Sequence, residues 1–395
     1  MKKRILSLFM ISVMVFAVVL TGCGGSGSGN SGTAAGSGTA TPPADGEVIT
    51  FTVNYFAPDS IPPGRAVQYA CDRATELSGG RLQFETFFNG TLIAYEDQIQ
   101  ATADGTIDIS ANDMGNISPY FQFMNLFTLP AEKILPDRTT MTDIYNEALI
   151  EFPELQDELA TKNIHCIGLS SLGGYNLHLA FDSDKSDPSV IKGQMVNVAS
   201  EVASYVTDLG ASATVVPPAD YYLDLQKGTL SGIYCLWATL DGFKLSEVTK
   251  THVFIGPDAG DHPYDGGGLF QPAMSYMINL DKWNSLTEED QQILTQAFAE
   301  AQRWWIAIDW QSQVFGWEQS QLDGQKIHYL DTEEKAAPWL SPAKAANAAW
   351  IKTCEAAGYP AQAAYDWLYG TIDAASASGL PDDWPGGVPD ENGNL

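Results

Sequence analysis

The chain has 395 residues and a formal net charge of −29, with 45% hydrophobic and 11% aromatic residues. That is enough apolar material for a large core, and a surface this acidic argues against nucleic acid and against anionic headgroups as partners. About 350 residues remain for folding once the N-terminal segments are set aside, which exceeds a usual single core and predicts two lobes.

In chain order, Lys2, Lys3 and Arg4 precede an apolar run from Ile5 to about Leu20, which ends at Leu20-Thr21-Gly22-Cys23. A basic start, an apolar middle and small residues before a cut describe a secretory leader over residues 1–22. The cysteine at the cut narrows it to a lipoprotein leader, with Cys23 as the lipidated residue and the chain anchored on the outer side of a membrane. Loss of residues 1–22 removes three cations and no anion, leaving −32. Residues 23–47 are mostly Gly, Ser, Ala, Thr and Pro; such a segment cannot bury enough apolar surface to order itself, and it reads as a tether reaching ~25–30 Å. Gly27-x-Gly29-x-x-Gly32 matches a dinucleotide fingerprint in letters only, since it follows no strand and opens no helix.

Ile49–Tyr55 alternates and is rich in β-formers, predicting a strand. Pro62 and Pro63 open a helix to about Ser78, stopped by Gly79-Gly80. Leu82–Phe87 is a second strand, Glu96–Ala103 a short helix, and 107–111 a third strand, an order that predicts parallel β-α-β units. Strands are further expected at 164–169, 194–198, 213–216 and 275–278, with a helix over 200–209. Thr287 with Asp290 caps a long helix whose stripe (Ile293, Leu294, Ala297, Phe298, Ala301) runs toward Trp317, long enough to span two lobes. Residues 374–395 read as a loose acidic tail.

Glu76-Leu-Ser-Gly-Gly80-Arg81-Leu, Phe88-Asn89-Gly90-Thr91-Leu92, Asp104-Gly105-Thr106-Ile107-Asp108-Ile109, Leu129-Pro130, Ile191-Lys192-Gly193, Leu209-Gly210-Ala211 and Tyr222-Leu223-Asp224-Leu225-Gln226-Lys227-Gly228 stand in one order. Together they resemble the extracytoplasmic solute-binding proteins of TRAP (tripartite, ATP-independent periplasmic) transporters over residues 48–373. The resemblance implies an α/β, two-lobed periplasmic-binding-protein-like fold with a hinge and a long helix across both lobes. Lobe I would begin with 48–172 and lobe II occupy 173–255. Residues 256–373 would return to lobe I, with the long helix and C-terminal helices packing on both. It further implies a small-molecule ligand in the cleft, delivery to a permease of small and large membrane subunits, and no catalysis.

In that family an arginine follows the lkGlKi-like strand and holds a ligand carboxylate; here Asn197 stands there. A second arginine often follows a glycine–aromatic pair; here Asn176 follows Gly174-Tyr175. Asparagine lacks the charged fork that grips a carboxylate. Two openings follow. Either Arg65 or a helix N-terminus replaces the clamp for an organic acid, or the ligand is neutral or amine-bearing, met by aromatic faces and Asp113. The candidate ligand-binding residues are Asn54, Tyr55, Arg65, Asp113, Tyr175, Asn176, Asn197, Tyr234, Cys235 and Trp237. A receptor serving a sensor fits the same pattern.

A surface-anchored enzyme is the competing class. Ser341-Pro342-Ala343-Lys344 matches S-x-x-K, but no S-D-N or K-T-G follows. The cysteines Cys71, Cys166, Cys235 and Cys354 lack zinc spacing, the five histidines are scattered, and the aspartates of 256–268 depart from the EF-hand pattern. No metal and no cofactor is expected.

Overall fold

The computed structural model describes residues 46–378 except 218, 219 and 261. The leader, Cys23, the tether before Gly46 and everything beyond Ser378 lie outside the described residues.

β1 (Ile49–Tyr55) leads into α1 (Pro62–Leu77), where two prolines occupy first-turn positions whose N–H groups would have no helical partner. Ala66, Val67, Ala70, Cys71 and Ala74 form its buried stripe, and Gly79 and Gly80 turn the chain out at φ of +64° and +87°. β2 (Leu82–Phe87) then pairs parallel with β1. After α2 (Gln98–Ala103), β3 (Ile109–Asp113) pairs parallel on β1's other side. α3 (Met114–Ile117), α4 (Arg138–Glu151) and α5 (Glu154–Ala160) precede β4 (Ile164–Ser171). α4 is capped by Asp137, whose Oδ1 accepts from the Thr140 N–H at 3.0 Å.

The chain then builds a second sheet from β5 (Asn176–Leu179), β6 (Met195–Asn197), β7 (Ser212–Thr214), β8 (Gly232–Cys235) and β9 (Thr251–Ile255). α6 (Ala203–Asp208), α7 (Tyr221–Lys227) and α8 (Trp237–Gly242) fill the connections. It returns through β10 (Ala273–Asn279), α9 (Leu280–Asn284), α10 (Glu288–Leu322), β11 (Lys326–Leu330), α11 (Glu333–Leu340), α12 (Ala343–Ala356) and α13 (Ala361–Ser378). The strand orders are β2-β1-β3-β10-β4 and β11-β9-β5-β8-β6-β7. β10 runs antiparallel between β3 and β4, a reversal the parallel pattern does not predict. β11 joins the second sheet beside β9, so the stretch after residue 255 returns to the first lobe only in part. Residues 374–378, expected in a loose tail, continue α13, because Ile372 and its neighbours keep that helix packed on the core.

α10 braces both sheets. Its 35 residues span about 50 Å at 1.5 Å each. Thr287 caps it, with Oγ1 accepting from the Asp290 N–H at 3.1 Å. One end packs on α1, where Tyr69 stacks on Trp304 with centroids 4.9 Å apart. The other packs on α8 so closely that a Cβ at Gly316 would lie 2.1 Å from the Trp237 carbonyl oxygen.

Candidate functional site

Tyr55, Asp113, Asn197 and Cys235 are each the last residue of a strand, two from each sheet. Binding groups in open α/β sheets gather at such carboxyl ends. On the first-sheet side the Tyr95 hydroxyl donates to Asp113 Oδ1 at 2.6 Å. Phe56 lies between the Tyr55 and Tyr95 rings, with both centroid separations 4.8 Å. Burial, then the charges of Asp113 and Tyr276, hold the Tyr55 phenol well above its ordinary range.

On the second-sheet side Asn197 is buried, and its Oδ1 accepts from the Val216 N–H at 2.9 Å. Tyr221, the first residue of α7, stands near enough that the Asn197 amide bears on its phenol. Cys235, on β8 next to β6, is buried in a core with Leu225 and Trp237, and that burial keeps its thiol protonated. Tyr221 opens α7, in the connection between β7 and β8. Its phenol is pushed up to about 12, first by burial, then by Cys235 and by Asp113 of the other sheet, with Asn197 opposing. Asp113 with Tyr55, Phe56 and Tyr95 thus clusters at the strand ends of the first sheet, and Asn197 with Tyr221 at those of the second.

The remaining expected residues stand elsewhere. Asn54 is fully buried, donating to Gln98 Oε1 at 2.6 Å and accepting from the Ile93 N–H at 3.2 Å. Asn176 is committed to the backbone: Nδ2 donates to the Gly174 carbonyl at 3.0 Å, and Oδ1 accepts from the Ile255 N–H at 2.8 Å. Tyr234 points to the face of β8 opposite Cys235 and joins the core with Leu177 and Tyr205. Trp237 is buried with its ring 4.9 Å from those of His178 and His252. Tyr175 packs against Phe270 at 4.9 Å. Arg65 is exposed on α1, its guanidinium 5.2 Å over the Trp304 ring.

Tyr95 and Tyr221 escape the sequence reading. The one signal for Tyr221 is its place, an aromatic at the start of the helix after a strand end. Among the described residues no group of three or more potential metal ligands gathers, and the Asp265 of the glycine-rich loop is engaged by Arg138 at 2.8 Å.

The model of the family described as "Bacterial extracellular solute-binding protein, family 7" matches residues 53–351. No curated protein sequence matches. Among solved structures, a TRAP solute-binding protein from Rhodoferax ferrireducens with copurified benzoate superposes with a TM-score of 0.70 at 18% identity, covering 84% of this chain and 100% of its own. A TRAP periplasmic solute-binding protein from Desulfovibrio salexigens with bound orotic acid gives 0.68 at 19% identity, over 82% and 99%. One from Chromohalobacter salexigens with bound D-glucuronate gives 0.64 at 19%, over 82% and 99%. These likenesses establish the fold. With its two sheets and bracing helix, and with a family match across most of its length, the chain belongs to bacterial extracellular solute-binding protein family 7, the TRAP solute-binding family.

Proposed function

We propose that the chain captures a small amine-bearing or neutral molecule in the gap between its sheets and hands it to the two membrane subunits of a TRAP permease. Anchorage by lipid on Cys23, outside the cytoplasm, accompanies this reading. The observation that carries it is the disposition of charge. Asp113 ends β3 at a cluster of three aromatic rings, Tyr55, Phe56 and Tyr95, while each of the five arginines among the described residues is engaged elsewhere. Arg73, Arg81, Arg138 and Arg303 pair with carboxylates, and Arg65 lies over Trp304. A carboxylate ligand entering beside Asp113 would meet like charge without a guanidinium to balance it, whereas an ammonium group gains both Asp113 and the aromatic faces.

The second reading is an organic acid held by an altered clamp, with Arg65 turned from Trp304. It is favoured by the bound benzoate, orotic acid and D-glucuronate of the similar structures. Calorimetry and thermal shift with quaternary ammonium compounds, primary amines, polyols, aromatic acids and uronic acids decide between them. Stabilisation by a cation or a neutral solute, with the cation response lost in Asp113→Asn, is the expected result. Stabilisation by acids alone would overturn it.

A further inference from the structure

His178 of β5 and His252 of β9 stand opposite each other in the antiparallel register, both fully buried. Their Nδ1 atoms are 2.8 Å apart. His178 Nε2 lies 3.2 Å from the Cys235 carbonyl oxygen, and His252 Nε2 lies 2.7 Å from Gln325 Oε1. The Gln325 amide is held in this sense by its own Nε2, which donates to the Ser246 carbonyl at 2.5 Å; turned over, it would set two oxygens against each other.

The contacts to the Cys235 carbonyl and to Gln325 Oε1 each need an N–H, and the Nδ1···Nδ1 contact needs one more. Two neutral imidazoles carry two protons between them. In the neutral pair one contact stays empty, and the weakest, the 3.2 Å approach to the Cys235 carbonyl, is the one given up. A third proton on His178 Nε2, taken from solvent, completes all three bonds and leaves a single imidazolium shared by the pair.

The surroundings isolate this charge. Trp237 packs its ring against both imidazoles. The neighbouring elements carry the Cys235 thiol (β8), Asp241 (α8), Glu247, which accepts from Tyr222, Lys326, paired with Asp184, and His328, bonded to the Ser183 carbonyl. None of them bonds either ring. Burial lowers both basicities, His252 to about 4 and His178, further pressed by His252, well below the ordinary histidine range. Uptake therefore falls on the acid side.

We propose that the His178–His252 pair is a one-proton switch that couples external acidity to the carboxyl end of β8 through the Cys235 carbonyl. It rests on hydrogen-bond geometry and is independent of the ligand's identity.

The test is imidazole nitrogen NMR of the full folded chain labelled with 15N-histidine, titrated toward acid. The through-hydrogen-bond coupling between the two Nδ1 atoms assigns the pair in unmutated protein, and His252→Gln supplies a second assignment if it folds. The expected result is one titration step for the pair, in which the bare nitrogen of His178 becomes N–H while the His252 nitrogens hold, with the Cys235 carbonyl carbon moving at the same midpoint. In His252→Gln the shared step is lost. Two separate one-proton steps, nitrogens unchanged down to acid unfolding, or a Cys235 carbonyl indifferent to the step would each overturn the proposal.

Discussion

Arg138 Nη1 lies 2.6 Å from Asp309 Oδ2, with both side chains buried, so the first turn of α4 is tied to the middle of α10. The same carboxylate oxygen accepts from Gln313 Nε2 at 3.1 Å, and Gln313 Oε1 accepts from the Ala238 N–H at the start of α8 at 3.1 Å. One polar chain thus runs from a helix of the first lobe, through the brace, to a helix of the second. Arg138→Met leaves Asp265 and Asp309 buried without their cation and is expected to cost about 3–5 kcal/mol. Arg138→Lys recovers only part of this, because one ammonium cannot fork to two carboxylates and the Ile306 carbonyl together. Urea unfolding of the two variants checks the order.

Two carboxylates share that guanidinium, so one negative charge is in excess in a dry site. Burial first, opposed by Arg138 and reinforced by Asp309, pushes the Asp265 carboxyl up to about 7. Its value when folded exceeds its value when unfolded. The folded chain therefore binds this proton more readily, and the contribution to stability is full below the ordinary carboxylate range and lost as pH rises through about 7. The change is on the order of a few kcal/mol. Denaturant midpoints measured from pH 4.5 to 8.5 are expected to fall across that window in the parent and to flatten in Asp265→Asn, which keeps an oxygen for Arg138. Parallel pH curves for the two proteins would contradict this.

Asn176→Arg is expected not to restore a carboxylate clamp. It removes the acceptor of the Ile255 N–H and forces a guanidinium into a buried niche, so destabilisation by about 2 kcal/mol or more is expected with no gain in acid binding. Asn197→Arg stands at the carboxyl end of β6 and is expected to shift preference toward acids despite a stability loss of about 1–3 kcal/mol from the orphaned Val216 N–H. Calorimetry with matched acid and amine panels separates the two sites.

Tyr221→Phe removes the phenol but keeps the ring and its edge contact with Phe243 at 5.8 Å. Unfolding stability is expected to change by about 1 kcal/mol or less. Ligand affinity is expected to fall at least fivefold, since on the proposed reading the lost phenol meets the ligand. Equal affinity in parent and variant would remove Tyr221 from the site.

Periodicity and turn chemistry made most of the fold legible. Alternation located β1 and β2, the proline pair and the Gly79-Gly80 stop bounded α1, and Thr287 with Asp290 marked the start of α10. The reversed direction of β10 was not legible, because strand pairing is a long-range choice that a local pattern does not encode. At the site, position along a strand was readable and direction was not. Tyr234 and Cys235 are adjacent, yet the pleat sends the first into one core and the second into another, with Leu225 and Trp237, so neither is free for a ligand. Asn54 and Asn176 read as binding amides because their residue type suits a ligand; in the folded chain backbone groups take up those same donors and acceptors. Arg138 gave no local signal at all, since its two carboxylate partners lie 127 and 171 positions away.

β10 lies between β3 and β4, yet it is synthesised only after the whole excursion from Ser171 to Ala273. Until it emerges, the nascent first sheet has an open slot with an unpaired, apolar edge on either side, the kind of surface that recruits other chains. Insertion of this late strand is thus the step that seals the molecule, and a chain cut short before Asn279 is expected to need a holdase rather than to settle into a half-protein.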